Sequence, residues 1–109
     1  MDARTKSRFE ARAKVIKAMA HGTRLFILSE LTKGERCVCD LTELVGADVS
    51  TVSKHLSVLR NAGLITSEKR GNQVFYRLLC SCIDPFFECV ESVLQGNKKR
   101  MNDDTRCCI

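Results

Sequence analysis

The stretch between residues 64 and 79 sets the strongest limit on the fold, because it carries the strand pattern of this chain. LITSEKR and QVFYRLL alternate β-branched, aromatic and polar residues, and the turn dipeptide Gly71-Asn72 separates them. This pattern predicts a two-stranded hairpin over residues 64–70 and 73–79. A single hairpin in a chain of 109 residues predicts one mainly α domain with a β-hairpin.

Apolar residues elsewhere recur at spacings of three and four, which predicts amphipathic helices on both sides of the hairpin. Asp40 is the predicted N-cap of a short third helix, with Glu43 completing a capping box, and Ser50 is the predicted N-cap of the fourth. Two helices joined by a tight turn and followed by a hairpin predict a winged helix-turn-helix. We expect residues 1–8 to be frayed, and the helices to cover residues 9–20, 23–33, 41–45, 50–61 and 84–95.

The predicted fourth helix, STVSKHLSVLRN, is the candidate DNA-reading element, and Val52, Leu56 and Leu59 are its predicted buried face. The first turn of such a helix enters the major groove, where hydroxyl groups can reach base edges or phosphates. A net charge of +5 alone gives only weak support for nucleic acid. His55 has an equal alternative as a hydrogen-bonded packing residue, and we expect His21 to be structural. The predicted DNA contacts are Ser50, Thr51, Ser53, Lys54, His55 and Arg60 on the helix, and Lys69, Arg70, Asn72 and Gln73 at the tip of the hairpin.

The division of the chain follows from these elements. We expect residues 1–95 to form a winged helix-turn-helix DNA-binding and dimerisation domain, and residues 96–109 to form a flexible tail with cysteines. The terminal helices have apolar faces that a small domain buries with difficulty, so we expect them to pair in a homodimer. No apolar run approaches the roughly 18 residues of a membrane span, and the N-terminus lacks a signal-peptide core, so we expect a cytoplasmic protein.

The chain has seven cysteines, which in a reducing compartment indicate metal binding or redox chemistry rather than a disulfide framework. Cys37 and Cys39 lie two residues apart, directly before the predicted helix-turn-helix. On a regular helix two residues turn through about 200°, so these thiols would point apart. In an extended segment they face the same side. One ion therefore binds both thiols most easily if the start of the third helix is unwound, and thiolates select soft ions.

The strings AHGTRLFIL, ERCVCDL, STVSKHLSVLRNAGLI and GNQVFYRL resemble the ArsR/SmtB family of dimeric metal-sensing repressors, over about residues 9–95. The resemblance implies a repressor that binds operator DNA, expected to be an inverted repeat, when metal-free and releases it when a metal or metalloid binds. Within the family, CVCDL resembles the site of arsenite-responsive members and of cadmium- and lead-responsive ones. The expected inducer at Cys37 and Cys39 is arsenite or antimonite. A soft divalent ion such as cadmium, lead or zinc is the alternative.

The third ligand of this site has several candidates. Arsenite-responsive members commonly carry a third cysteine three residues after the pair, where this chain has Thr42. Cadmium-type members use cysteines of an N-terminal extension, and no cysteine precedes Cys37 here. A second zinc site known in the family needs histidine on the last helix, and DPFFECVESVLQG has none. The candidates are two thiols with water, the tail residues Cys107 and Cys108, and the group Cys80, Cys82 and Cys89.

Two further classes of function stay open from the residues. A thiol redox or persulfide switch would join two cysteines by oxidation, which a reductant reverses, whereas a metalloid switch yields to a competing dithiol. A cysteine enzyme would need a general base and a pocket, and both histidines, His21 and His55, belong to the helix-turn-helix region. We therefore expect no enzyme activity.

Overall fold

The computed structural model describes residues 1–103, with side chains described as far as Lys98. The order of elements confirms the predicted winged helix-turn-helix: two helices are followed by a helix-turn-helix, the hairpin and a last helix. Within the described part, the elements are α1 (Ala3–Met19), α2 (Gly22–Thr32), β1 (Arg36–Cys37), α3 (Val38–Val45), α4 (Val49–Asn61), β2 (Ile65–Arg70), β3 (Gln73–Leu78) and α5 (Ile83–Asp103).

The wing is a three-stranded antiparallel sheet with the strand order β1-β3-β2. Strands β2 and β3 pair up to Arg70 and Gln73, so Gly71 and Asn72 form the two-residue turn that the sequence predicts. Gly71 has a φ of 63°, a backbone conformation that glycine adopts without steric cost. Strand β1 is an addition to the prediction, and it pairs Cys37 with Phe75 on the other edge of β3. The wing sheet therefore holds the first cysteine of the thiol pair.

Both terminal helices are longer than predicted. The carboxylate of Asp2 accepts a hydrogen bond from the backbone N–H of Thr5 at 2.7 Å, so α1 begins at Ala3 and the expected fraying of residues 1–8 is wrong. Helix α5 passes through Gly96, where the polar tail was expected to begin, and reaches Asp103. One glycine costs a helix only about 1 kcal/mol, which long polar helix formers on either side offset. The division into a domain and a tail stays a prediction.

The N-caps of the helix-turn-helix differ from the predicted ones. Asp48, not Ser50, caps α4, because its Oδ1 accepts a hydrogen bond from the backbone N–H of Thr51 at 3.0 Å. Cys37, not Asp40, caps α3, and Asp40 lies in the first turn of that helix. Asp48 was overlooked because serine and aspartate are nearly equal as N-caps, so the local sequence does not choose between them.

The core lies between α2, the helix-turn-helix and the first residues of β2 and α5. The predicted core face of α4 is confirmed, since Val52, Leu56 and Leu59 have no exposed surface. This packing fixes α4 against the body of the domain and leaves its opposite face to solvent. The most deeply buried side chains of the cluster are Ile27, Leu28, Leu41, Val52, Leu56, Leu59 and Ile65.

The terminal helices leave apolar surface uncovered in the single chain, as predicted. Ile16 and Leu94 are each 54% exposed, and Phe86 and Val90 are also exposed. These side chains border a groove of about 560 Å³ between α1, α2 and α5. Exposed apolar area of this kind marks an interaction surface. Among residues 1–103, no helix has the length and apolar character needed to cross a membrane.

Candidate DNA interface and thiol site

Helix α4 turns the predicted DNA-contacting side chains away from the core. Ser50, Thr51, Lys54 and Arg60 are exposed, and Ser53 is half-buried. Arg60 donates a hydrogen bond from Nη1 to Ser67 Oγ at 3.3 Å, which joins the end of α4 to the wing. Hydrogen bonds from Thr51 lower the pKa of the capping carboxylate of Asp48 at the other end. The exposure of this face suits a groove-reading helix, and the individual DNA contacts stay predictions.

His55 fastens α4 to the start of α2. Arg24 donates a hydrogen bond from Nε to His55 Nδ1 at 3.1 Å, and its Nη1 donates to the carbonyl oxygen of Ala18 at 3.3 Å. The rings of His21 and His55 lie 4.4 Å apart between centroids. His21 also accepts a hydrogen bond at Nδ1 from the backbone N–H of Thr23, so it caps α2, a structural role of the kind expected for it. The structure thus supports the packing role that the sequence left as one alternative for His55.

The tip of the wing exposes Lys69, Asn72 and Gln73, as a DNA-contacting wing requires. Arg70 is different, because its guanidinium donates to both carboxylate oxygens of Glu35, at 2.6 and 2.9 Å. It also donates to Glu68 at 3.0 Å.

These hydrogen bonds raise the pKa of Arg70 and lower the pKa of Glu68. The Arg70 guanidinium lies 4.8 Å from the centroid of the Phe75 ring. The DNA contact predicted for Arg70 would require its ion pairs to open. Instead, Arg70 ties the wing to the segment just before the thiol pair.

Cys37 and Cys39 are brought together at the junction of the wing and α3. The sulfur atoms are in contact, with the Cα atoms 5.4 Å apart. Cys37 has an extended backbone, with φ −80° and ψ 160°, and its Sγ accepts a hydrogen bond from the backbone N–H of Asp40 at 3.3 Å. The helix begins one residue later, at Val38. Unwinding of α3 is therefore not needed for both thiols to reach one ion, because the strand already supplies the extended residue.

The surroundings of the pair decide which ions fit. Cys37 is buried and Cys39 is exposed, so a ligand reaches the pair from the side of Cys39. A carboxylate oxygen of Asp40 and the two sulfurs all lie within 4.8 Å of one another. Two sulfurs fit a soft ion, and the added carboxylate suits a divalent metal more than arsenic. The hydroxyl of Thr42 donates to the carbonyl oxygen of Val38 at 2.7 Å and is directed along the helix.

The group at Cys80 and Cys82 lies too far along the wing to complete this site in the same subunit. Cys37 pairs with Phe75, and the chain stays extended up to Leu79, whose N–H donates to the carbonyl oxygen of Leu64 at 3.0 Å. Four residues at about 3.3 Å each separate Phe75 from Leu79 by roughly 13 Å. Cys107 and Cys108 lie outside the described residues, so their predicted role stays a prediction.

Comparison with known proteins shows which protein family this chain resembles. Residues 21–67 match the family model for the bacterial regulatory proteins of the arsR family. The chain is 36% identical over 93 aligned positions to the arsenical resistance operon repressor of Escherichia coli K12, which covers 76% of this chain and 78% of that protein. It is 40% identical over 67 residues to the cadmium resistance transcriptional regulatory protein CadC homolog of Staphylococcus aureus, covering 61% of this chain and 55% of that protein.

A solved structure agrees with this result over nearly the whole chain. The homodimeric winged helix-turn-helix DNA-binding domain Mb0332 of Mycobacterium bovis superposes with a TM-score of 0.76 at 29% identity, covering 92% of this chain and 93% of that one. Fold and sequence together define a winged helix-turn-helix transcriptional regulator. The chain belongs to the ArsR family. It spans about half the length of several of the curated relatives that it matches.

The environment of His55 predicts a pH dependence of stability. Partial burial, then the proximity of His21 and Arg24, lowers the pKa of His55 below its ordinary value of 6.5. Between the lowered pKa and 6.5 the unfolded chain binds more protons than the folded one, so stability rises with pH in that interval and is lost as pH falls through it. His55→Asn keeps an acceptor oxygen for Arg24 and removes the titration. Urea unfolding should show that the free energy of unfolding falls less below pH 6.5 in this variant than in the wild type. The same pH dependence in both proteins would contradict its assignment to His55.

Proposed function

We propose that this chain is a metalloid-responsive transcriptional repressor. It binds operator DNA as a homodimer and releases the DNA when arsenite or antimonite binds the thiolates of Cys37 and Cys39. The proposal is supported by the contact between these two sulfurs at the start of the helix-turn-helix. It is further supported by relatives whose names refer to arsenical and cadmium resistance.

Dimerisation through the terminal helices is supported by the uncovered apolar groove between α1, α2 and α5. The solved relative Mb0332 is itself homodimeric. A two-fold axis in this region would present two copies of α4 to DNA, and a pair of recognition helices reads half-sites about 34 Å apart in an inverted repeat. The two-fold axis makes operator affinity depend on the relative placement of the two winged domains.

The observation that carries the mechanism is the double role of Cys37. Its backbone pairs with Phe75 in the wing, and its sulfur accepts the hydrogen bond that caps α3. A sulfur that forms a bond to arsenic is a poorer acceptor, and the new bond also fixes its position relative to Cys39. Oxygen N-caps are worth about 0.5 to 2 kcal/mol. The free energy that couples two ligands in allosteric proteins is about 1 to 3 kcal/mol. The free energy of the cap is of similar size, so loss of the cap together with movement of β1 is enough to change operator affinity.

The ligand chemistry is an exchange without oxidation. Each thiol that replaces a hydroxyl of arsenous acid releases one water, so two thiols leave one hydroxyl on the arsenic. A third thiol from Cys107 or Cys108 would replace that hydroxyl as well. A soft divalent ion such as cadmium, lead or zinc is the second candidate, favoured by the carboxylate of Asp40 beside the sulfurs.

The first test removes both thiols from the site. Cys37→Ser/Cys39→Ser should keep metal-free affinity for an inverted-repeat duplex selected by the wild type, because serine is a good N-cap and the DNA face is unchanged. Arsenite should weaken DNA binding of the wild type by roughly 5- to 150-fold and leave the double variant unaffected. Fluorescence anisotropy at one fixed salt concentration measures both affinities.

Cys89→Ser is the matched control, since it removes an exposed thiol on α5 outside the pair. It should respond to arsenite like the wild type. An unchanged arsenite response in the Cys37/Cys39 double variant would exclude these thiols as the inducer site. A response to cadmium alone would replace the metalloid by a divalent ion, and release reversed by a monothiol reductant would indicate a disulfide instead.

The second test concerns the link between Arg70 and Glu35. We expect this ion pair to pass displacement of the thiol segment on to the wing, because Glu35 lies two residues before Cys37. Glu35→Gln should therefore reduce the ratio between DNA affinities without and with arsenite, by up to about fivefold. Arg70→Lys should do the same, since lysine keeps the charge and loses the two-point contact.

Lys69→Gln is the control for the wing, because this exposed neighbour of Arg70 is a predicted DNA contact and its ammonium group suits a phosphate. It should weaken DNA binding with and without arsenite by the same factor, and it should flatten the salt dependence of binding. If Arg70→Lys and Lys69→Gln gave the same result, Arg70 would act as an ordinary DNA contact and the proposed coupling through Glu35 would be wrong.

A further inference from the structure

A second cysteine pair, Cys80 and Cys82, repeats the arrangement of the first. The sulfur atoms are again in contact, and the Cα atoms are 5.5 Å apart, against 5.4 Å in the first pair. Each pair has one residue between its cysteines and stands where a strand gives way to a helix, here between β3 and α5. Cys80 is half-buried and Cys82 is exposed. Packing in the core therefore does not explain the position of Cys82.

The second pair is separate from the first in the same subunit. The extended chain between Phe75, the partner of Cys37, and Leu79 covers roughly 13 Å. Atoms that bind one ion must lie within a few ångströms of each other. Each pair therefore takes its own ligand.

The start of α5 lies directly at this pair. The carbonyl oxygen of Cys82 accepts the hydrogen bond from the backbone N–H of Phe86 at 3.2 Å, so Cys82 stands at the N-terminal end of the helix. The backbone N–H groups there carry a partial positive charge that stabilises an anion. Ile83 next to it is buried, which anchors the helix start against the core. A ligand on the two sulfurs would thus join the end of the wing to the first turn of α5.

We propose that Cys80 and Cys82 form a second dithiol site, which binds trivalent arsenic or antimony independently of Cys37 and Cys39. Two thiols replace two hydroxyls of the trivalent centre, two waters leave, and no electron is transferred. Neighbouring sulfurs fit a pyramidal centre that holds its ligands on one side, whereas a linear two-coordinate ion needs them on opposite sides. The inference goes beyond the proposed function and does not depend on DNA release.

The test uses phenylarsine oxide, a trivalent arsenical with two exchangeable positions, on the full chain. The background variant has serine at the other paired or neighbouring cysteines, positions 37, 39, 107 and 108. Native mass spectrometry after a wash with excess monothiol should show one phenylarsenic adduct per subunit. The adduct should be absent when Cys80→Ser/Cys82→Ser is added to the background, and it should persist when Cys89→Ser is added instead.

Single variants guard against misfolding of the double variant. Cys80→Ser and Cys82→Ser each keep one sulfur, so each should bind the probe only through a bond that the monothiol reverses. Circular dichroism checks that the helices are intact. The proposal is overturned if the background variant forms no stable adduct, or if the adduct survives the loss of either sulfur. Neither result bears on arsenite-dependent DNA release through Cys37 and Cys39, so failure of the two proposals can be told apart.

Discussion

The pairing of a two-residue strand with the wing is the contact on which the rest of the site depends. Strand β1 ends at Cys37, which pairs with Phe75 and caps α3 through its sulfur. The strand gives Cys37 the extended backbone that places its sulfur against that of Cys39. On a regular helix the two thiols would diverge. One residue therefore belongs to the wing, to the helix-turn-helix and to the thiol pair at the same time.

Rigid and compliant parts of the domain are clearly divided. The face of α4 that contains Leu56 has no exposed surface, so the recognition helix moves with the core. The junction around Cys37 depends instead on two strand residues, one cap and the ion pair between Arg70 and Glu35. Each of these interactions is individually weak, so the free energy of two sulfur bonds to the proposed inducer would be enough to break them. In the proposed mechanism, a small local change there alters how the wing and α3 stand relative to α4, and a dimer on an inverted repeat would lose affinity as a result.

The main features of the fold were predictable from periodicity and turn chemistry, since the hairpin around Gly71 and the buried face of α4 appear directly in the sequence. Strand β1 was not, because two residues are too short to show alternation. Cysteine is not among the common N-caps, so Cys37 gave no signal as the cap of α3. The partner of Arg70 is Glu35, 35 positions away, and local pattern carries no trace of such a contact. The thiol pair could be proposed from the sequence because soft-ligand chemistry depends on residue type and spacing, whereas any third ligand would depend on tertiary placement.

The most direct measurement of the central claim is the affinity of the reduced protein for arsenite with and without saturating operator duplex. Absorption of the sulfur–arsenic bond follows the titration at one salt concentration. If arsenite and DNA are linked through the junction at Cys37, bound DNA must weaken arsenite binding by the same factor by which arsenite weakens DNA binding. Equal arsenite affinities in the free and DNA-bound protein would contradict the account, because a ligand that binds both states equally shifts neither.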